Sequence, residues 1–192
     1  MGFKWFMSWI LAFPLLKILT GVEICGSIPK NGAAILACNH VSFLDPPVLG
    51  ITACREIYFL AKPGLFNLSK FFTWLITNYN AISVGGTGGM RKAIRLLKKK
   101  KVIAIFPEGT RSKKSVLLPF NPGVGYLSIS LGVPVIPVYI RNSNKNFISL
   151  MLRFNKLNIN FGKPIFPFGY KKERKDFERF VAKIREEVKQ LK

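Results

Sequence analysis

The single histidine of the chain, His40, lies in the segment Asn39-His40-Val41-Ser42-Phe43-Leu44-Asp45, which ends in a carboxylate. Histidine titrates nearest to neutral pH, so it can take a proton from a hydroxyl group and return it. A carboxylate facing one ring nitrogen fixes the tautomer and leaves the other nitrogen to accept a substrate proton. The pair predicts general-base catalysis. The alternative is an ordinary polar histidine beside a helix cap.

The spacing of His40 and Asp45 requires a bend between them. On one regular helix the two side chains would lie about 140° apart, on different faces. Asp45-Pro46-Pro47 is typical of a helix start, with Asp45 as the cap and Pro46 as the first helical residue. Because residues 33–39 indicate a strand running into a loop, we expect His40 at the carboxyl end of a strand, where open α/β sheets usually place their sites.

A second polar segment, Phe106-Pro107-Glu108-Gly109-Thr110-Arg111-Ser112, follows an apolar run. Pro107 ends the strand, and Gly109 permits a tight turn. Arg111 carries a planar fork of donors that matches phosphate oxygens, so it is the predicted phosphate ligand, with Lys113 and Lys114 adding positive charge. The alternative is a turn with exposed charges.

Short apolar runs alternate with helical patterns along the chain. The predicted strands are Val22–Ile28, Ala33–Ala37, Glu56–Leu60, Ala81–Val84, Val102–Phe106, Val133–Ile140 and Leu157–Phe161. The predicted helices are Pro46–Ala53, Leu68–Ile76, Gly89–Lys99, Gly123–Leu131 and Lys175–Lys192. This alternation predicts a single α/β domain with a mostly parallel central sheet flanked by helices.

The first twenty residues form a separate apolar segment that begins after Lys4. No small-residue cleavage site follows, which disfavours a secretory signal. The run is shorter than the roughly 20 apolar residues of a spanning helix and contains Pro14. We expect residues 1–20 to be a membrane anchor in one leaflet or the interface, with Trp5 and Trp9 at headgroup level, and residues 21–192 to be the catalytic domain. The alternative is a helix buried in the protein's own core.

The composition is strongly basic, with 30 Lys and Arg against 9 Asp and Glu and a formal net charge of +21. Anionic surfaces and ligands are therefore the expected partners. No nucleic-acid module is recognisable, so nucleic acid is not expected. The odd cysteine count and apolar surroundings predict buried, reduced thiols in a reducing compartment. One histidine and scattered carboxylates do not form a ligand set, so neither a metal nor a cofactor is expected.

Together the two polar segments resemble the glycerolipid acyltransferases, most closely the bacterial 1-acylglycerol-3-phosphate acyltransferases. A third block supports the resemblance, because Leu131-Gly132-Val133-Pro134-Val135-Ile136-Pro137-Val138 is similar to the family's Val-Pro-Val-x-Pro-Val strand. Pro119-Phe120-Asn121-Pro122-Gly123 also lies where the family places its Phe-x-x-Gly turn.

The resemblance implies that His40 is the general base and Asp45 its orienting carboxylate. It assigns the acceptor phosphate to the loop formed by Glu108, Gly109, Thr110 and Arg111. The implied reaction moves a fatty acyl group from acyl-CoA or acyl carrier protein to the 2-hydroxyl of lysophosphatidic acid, making phosphatidic acid. The alternatives are an acyltransferase for glycerol 3-phosphate or another lysolipid, and a non-catalytic basic protein that binds membrane surfaces.

One position departs from the family pattern. Where the family carries an arginine before its third helix, this chain has a glycine-rich loop containing Gly86. Either backbone N–H groups at Gly86 bind the phosphate at a helix N-terminus, or Arg91 reaches in from the next turn. A third reading leaves phosphate binding to Arg111 alone. The anchor and the charge together predict a peripheral or monotopic protein on the cytoplasmic face of the cell membrane.

Overall fold

A seven-stranded sheet forms the centre of the protein in the computed structural model, which describes residues 3–112, 116–152 and 154–192. Lys113 and Lys114 lie outside the described residues. The strands are β1 (Glu23–Cys25), β2 (Ala34–Cys38), β3 (Ile57–Ala61), β4 (Ala81–Ser83), β5 (Val102–Ile105), β6 (Val135–Arg141) and β7 (Asn158–Phe161). Each of the seven predicted strands is present, usually with slightly shorter bounds.

The strand order is β1-β7-β6-β2-β5-β3-β4. The strands β6, β2, β5, β3 and β4 are all parallel, whereas β7 pairs antiparallel with β6 and parallel with β1. The central strand β2 is buried along its whole length, as its apolar sequence requires when both faces of a sheet are covered. The predicted α/β class with a mostly parallel sheet is confirmed.

Seven α-helices surround the sheet within the described residues. They are α1 (Phe3–Thr20), α2 (Asp45–Thr52), α3 (Lys70–Asn78), α4 (Gly86–Lys98), α5 (Gly123–Leu131), α6 (Phe147–Met151) and α7 (Arg174–Gln190). Sequence analysis did not predict α6 or a short 3₁₀ helix at Pro63–Asn67. Both are a turn or two long, so neither leaves a clear apolar period.

Two apolar cores cover the two faces of the sheet. One includes Trp5 of α1 and Leu49 of α2, while the other includes Leu97 of α4, Leu127 of α5 and Phe180 of α7. The contact of α5 with α7 depends on Gly125, since a Cβ there would lie 2.7 Å from the carbonyl oxygen of Phe177. Phe180, Ile184 and Val188 recur at helical spacing along α7 and are buried, so this face of the helix packs on the domain.

The N-terminal helix α1 is part of the folded domain on one side and exposed on the other. Trp5 is only 8% exposed and lies edge-on to the ring of Tyr79, so its predicted headgroup position is wrong. Other apolar side chains of the helix, such as Leu11 and Ile18, are exposed. None of the described helices combines the length and apolar character needed to cross a membrane.

The cysteines also differ from expectation. All three are free thiols, but only Cys38 is buried, whereas Cys25 and Cys54 are exposed. Cys25 lies on the edge strand β1, where an apolar run does not ensure burial.

Candidate active site

His40 lies in the loop between the end of β2 at Cys38 and the start of α2 at Asp45, at the carboxyl end of the sheet. The loop folds back so that Nδ1 of His40 lies 2.8 Å from Oδ2 of Asp45. The predicted bend is thus present. One detail was wrong: Asp45 is the first residue of α2, with Leu44 as the cap residue, and its side chain points back into the loop.

The carboxylate of Asp45 is fully buried and has polar partners at both oxygens. Oδ2 faces the histidine ring and also accepts hydrogen bonds from the backbone N–H groups of Val41 and Ser42, each at 2.8 Å. Oδ1 accepts a hydrogen bond from the hydroxyl of Ser143. These donors offset the cost of burying a charge and hold the carboxylate in one orientation.

Ser143 reaches Asp45 because the chain turns sharply after β6. Asn142, the preceding residue, has a φ of 66°, a left-handed conformation that asparagine tolerates better than most residues. Its side-chain amide donates to the carbonyl oxygen of Lys156 at 2.8 Å, which holds this turn.

Glu108 holds the backbone of His40. Its Oε1 accepts the N–H of His40 at 2.7 Å, and its Oε2 accepts the N–H of Leu118 at 2.9 Å. The N–H of Ser112 in turn donates to the carbonyl oxygen of His40 at 2.8 Å. The loop after β5 therefore forms hydrogen bonds with both the N–H and the carbonyl oxygen of His40.

Burial raises the pKa of Glu108, although the N–H groups of Leu118 and His40 oppose this effect by favouring the carboxylate. The residue is 7% exposed, and both its carboxylate oxygens already bind backbone donors. The structure thus assigns Glu108 a bracing role. Its predicted role as a phosphate ligand stays a prediction.

Asn39 connects the strand that carries His40 to its neighbour β6. Its side-chain oxygen accepts the N–H of Ile140 at 2.7 Å, and its side-chain nitrogen donates to the carbonyl oxygen of the same residue at 3.0 Å. This paired contact is buried and continues the ladder beyond the end of β2. It anchors the residue immediately before His40.

The imidazole ring stacks on Phe106, with ring centroids 4.3 Å apart and planes at 27°. The His40 side chain is 18% exposed, so solvent and substrate can reach it. Because Asp45 faces Nδ1, the nitrogen that remains for a substrate hydroxyl is Nε2.

Arg111 lies beside the histidine loop. Its guanidinium carbon is 3.6 Å from the ring centroid of Phe43, between His40 and Asp45 in the sequence. The turn before it uses Gly109 at a φ of 67°, where a Cβ would lie 2.9 Å from the side-chain nitrogen of Asn121. Arg111 and Thr110 are exposed, so the turn presents a cation and a hydroxyl to solvent next to the histidine.

Gly86 and Arg91 are placed differently. Gly86 is the first residue of α4, three residues earlier than the predicted helix start, and Arg91 is exposed further along this helix. The helix follows β4, three positions from β2 in the sheet, whereas Arg111 follows β5 next to β2. Sheet order therefore brings Arg111 to His40 and leaves Gly86 and Arg91 further along the same edge.

Sequence reasoning missed two members of the site, Ser143 and Asn39. The position of Asn39 directly after an apolar strand and before His40 was a usable signal. Ser143 had none, because its role depends on a contact between residues 98 positions apart. Within the part of the chain that the structure describes, no three His, Cys, Asp or Glu residues cluster as metal ligands would.

Comparison with known proteins agrees with this geometry. The acyltransferase family model matches residues 21–141, which include both polar loops. The chain belongs to the acyltransferase family.

Two curated relatives are each named 1-acyl-sn-glycerol-3-phosphate acyltransferase. The protein from Borreliella burgdorferi is 28% identical over 148 residues, covering 74% of this chain and 58% of the relative. The protein from Escherichia coli is 36% identical over 137 residues, covering 67% of this chain and 51% of the relative. The chain thus matches between about half and three fifths of the length of these relatives.

The fold has a close counterpart among solved structures. The 1-acyl-sn-glycerophosphate acyltransferase of Thermotoga maritima matches with a TM-score of 0.76 and 24% identity. The match covers 97% of this chain and 79% of the other. At this level of identity the likeness establishes the shared fold.

Proposed function

We propose that this protein transfers a fatty acyl group from an acyl thioester to the 2-hydroxyl of 1-acylglycerol 3-phosphate, making phosphatidic acid. The observation that carries the proposal is the 2.8 Å contact of His40 Nδ1 with a buried carboxylate, at a loop that also holds Arg111. Family membership and the names of the two relatives point to the same reaction.

The reaction uses His40 first as a base and then as an acid. Asp45 accepts a hydrogen bond from Nδ1–H, which holds the ring in the tautomer whose Nε2 can take the proton of the acceptor's 2-hydroxyl. The hydroxyl oxygen attacks the thioester carbonyl carbon, forming a tetrahedral intermediate. When the C–S bond breaks, the ester is complete and the thiolate takes the proton back from the imidazolium.

Asp45 stabilises the imidazolium while it exists and prevents the ring from turning. Direct transfer requires both substrates to be bound together, and it needs no nucleophilic serine or cysteine. Arg111 would hold the acceptor phosphate, since its guanidinium is exposed beside the histidine loop and carries the planar fork that phosphate oxygens match.

The catalytic proposal is tested by thiol release from acyl-CoA and from acyl carrier protein. Lysophosphatidic acid, glycerol 3-phosphate or no acceptor is supplied in mixed micelles. The parent chain should release thiol only with an acceptor, and fastest with lysophosphatidic acid. His40→Ala should lower kcat by about 10²-fold or more, because the proton then has no base to receive it. Equal activity in the variant, or no turnover with any donor and acceptor pair, would reject the proposal.

We also propose that the protein lies on a membrane surface through α1 and α6, which contact each other. Both helices expose large apolar side chains. On α1 these are Phe6, Ile10, Leu11, Leu15 and Ile18, and on or after α6 they are Ile148, Met151, Leu152 and Phe154. Exposed apolar side chains on two neighbouring helices of a basic protein suit an anionic lipid surface.

Vesicle binding tests this surface. The triple variant Leu11→Ser, Leu15→Ser and Ile18→Ser should lose most of its co-sedimentation with phosphatidylglycerol vesicles. Phe168→Ser, which alters an exposed aromatic residue outside these helices, should bind as the parent does. Unchanged binding of the triple variant would refute the proposed surface.

The cytoplasmic face is the proposed side, where lysine- and arginine-rich surfaces meet anionic lipid. The exposed thiol of Cys25 offers a direct test with a maleimide reagent that does not cross membranes. Labelling should require cell lysis. Labelling of intact cells would place the protein on the other side.

A further inference from the structure

Arg185 of α7 binds the segment that lies behind the site. Its Nη2 donates to the carbonyl oxygen of Leu117 at 2.9 Å, and its Nε donates to that of Leu118 at 3.1 Å. Its remaining nitrogen, Nη1, lies 3.4 Å from Oε1 of Glu186. A guanidinium is rigid and planar, so two donors on successive carbonyls fix the orientation of the backbone between them.

The peptide unit between Leu117 and Leu118 faces both Arg185 and the site. In a trans peptide the carbonyl oxygen and the N–H point in opposite directions from one rigid plane. The carbonyl of this unit belongs to Leu117 and binds Arg185, whereas its N–H belongs to Leu118 and donates to Oε2 of Glu108 at 2.9 Å. Holding the oxygen therefore aims the N–H at Glu108.

Glu108 extends this connection to the histidine. Its other oxygen accepts the N–H of His40 at 2.7 Å, so a shift of the carboxylate moves or frees the backbone that carries the imidazole. Glu108 is only 7% exposed as a residue, so little water can reach it to replace a lost donor. The chain of contacts runs from Arg185 through one peptide unit and one carboxylate to His40.

The helix α7, which carries Arg185, is firmly packed on the domain. Phe180 and Ile184 of α7 are fully buried, and Gly125 lets α5 approach the helix closely. Arg185 is half-buried, with its side chain 33% exposed. It lies beyond residues 21–141, the part of the chain that the family model matches.

We infer that Arg185 is a positioning residue for His40, acting through the peptide unit of Leu117 and Leu118 and through Glu108. This inference rests on the proposed acyl transfer for its kinetic consequence, but the structural connection does not depend on it. Loss of the guanidinium should misplace the base relative to the acceptor hydroxyl, which lowers kcat and leaves acceptor binding largely intact.

The test compares Arg185→Met with Arg174→Met. Both variants remove one positive charge from α7, but the side chain of Arg174 is 91% exposed and pairs with Glu178 in the next turn. We expect Arg185→Met to lower kcat about tenfold with the KM for acceptor within about twofold, because small displacements of a catalytic group are costly. Arg185→Lys, which keeps the charge and loses the fork, should fall between Arg185→Met and the parent. Arg174→Met should match the parent.

A second comparison separates positioning from general stabilisation. In a Glu108→Gln background the connection is already broken, because the two backbone N–H groups bind different oxygens and the amide would present its NH₂ group to one of them. Arg185→Met should then reduce kcat by less than about twofold further, since residues that act through one path are not additive. A full tenfold reduction in this background, or a rise in KM with unchanged kcat, would overturn the inference.

Hydrogen exchange gives a readout that needs no activity. Amide exchange at peptides containing His40 and Leu118 should accelerate in Arg185→Met and not in Arg174→Met. If the parent proves inactive but this difference appears, the acyl-transfer proposal fails and the connection stands. If the parent is active and neither exchange nor kcat responds to Arg185→Met, the inference is wrong.

Discussion

The hydroxyl of Ser143 donates to Oδ1 of Asp45, joining the loop after β6 to the start of α2 across 98 residues of sequence. Both residues are buried, with Ser143 1% and Asp45 0% exposed. The carboxylate that orients His40 is therefore held at both oxygens, one by the histidine loop and one by a neighbouring strand's loop.

Ser143→Ala should lower kcat several-fold and destabilise the fold. The carboxylate would lose its buried donor at Oδ1, and such a loss costs about 1–3 kcal/mol of folding free energy. Kinetics with lysophosphatidic acid and urea unfolding measure the two effects. Ser27→Ala, an exposed serine, is the control. A Ser143→Ala protein with parental kcat would show that the Oδ1 contact has no part in orienting the base.

Asp45→Asn should be more damaging to catalysis than Ser143→Ala. The amide retains one acceptor oxygen but presents its NH₂ group toward donors, so the histidine tautomer is no longer enforced. We expect kcat to fall by about 10²-fold or more, as loss of an orienting carboxylate does in catalytic triads. Steady-state kinetics and circular dichroism together measure this. As the control, Glu178→Gln removes one exposed negative charge and should leave kcat unchanged. If Asp45→Asn retained most of its activity, the role given to the Asp45 carboxylate would be contradicted.

Arg111→Ala should weaken acceptor binding more than turnover. The expected rise in KM for lysophosphatidic acid is about tenfold or more, since charge-assisted bonds to phosphate contribute about 1.5–3 kcal/mol. Arg111→Lys should recover only part, because lysine lacks the planar fork. A monoacylglycerol without phosphate is the matched substrate. The variant should lose the preference of the parent for the phosphorylated acceptor, and an unchanged preference would move the phosphate site away from Arg111.

The raised pKa of Glu108 predicts how the stability of the protein depends on pH. Burial raises the pKa of its carboxyl in the folded protein, so between the unfolded and folded pKa values the folded state binds more protons. The free energy of unfolding from this group is therefore highest at low pH and decreases as pH rises through the folded pKa. Urea unfolding of the parent and of Glu108→Gln between pH about 4 and about 7 isolates this contribution.

The difference in unfolding free energy, parent minus Glu108→Gln, should decline with rising pH and then become constant. An increase with pH would mean that the hydrogen bonds from Leu118 and His40 outweigh burial. Both results measure how much the Glu108 carboxyl, which binds the backbone of His40, contributes to the free energy of unfolding.

The apolar runs of the sequence were sufficient to predict the strands of the sheet. Val102–Ile105 and Ala34–Cys38 are buried strands because continuous apolar residues are stable only where both faces are covered. Helix starts were less predictable. The helix α4 begins at Gly86, three residues earlier than the expected Gly89, although glycine has a poor helix propensity.

The N-terminal helix shows the limit of composition. Its apolar residues predicted either a membrane anchor or a core helix, and the structure divides them between a buried side with Trp5 and an exposed side with Leu11. Mean hydropathy alone does not distinguish these sides, since large apolar residues occur on both of them.

The sequence by itself determined the reactive groups and their loops: one histidine with a carboxylate five residues later, and one arginine after a glycine turn. Tertiary structure alone decided what holds them. Glu108 became a brace for His40, Ser143 a donor to Asp45, and Arg185 an anchor for the peptide that faces Glu108. The physical reason is that local sequence limits which chemistry a loop can offer, whereas its geometry depends on hydrogen bonds from residues that only the folded sheet brings together.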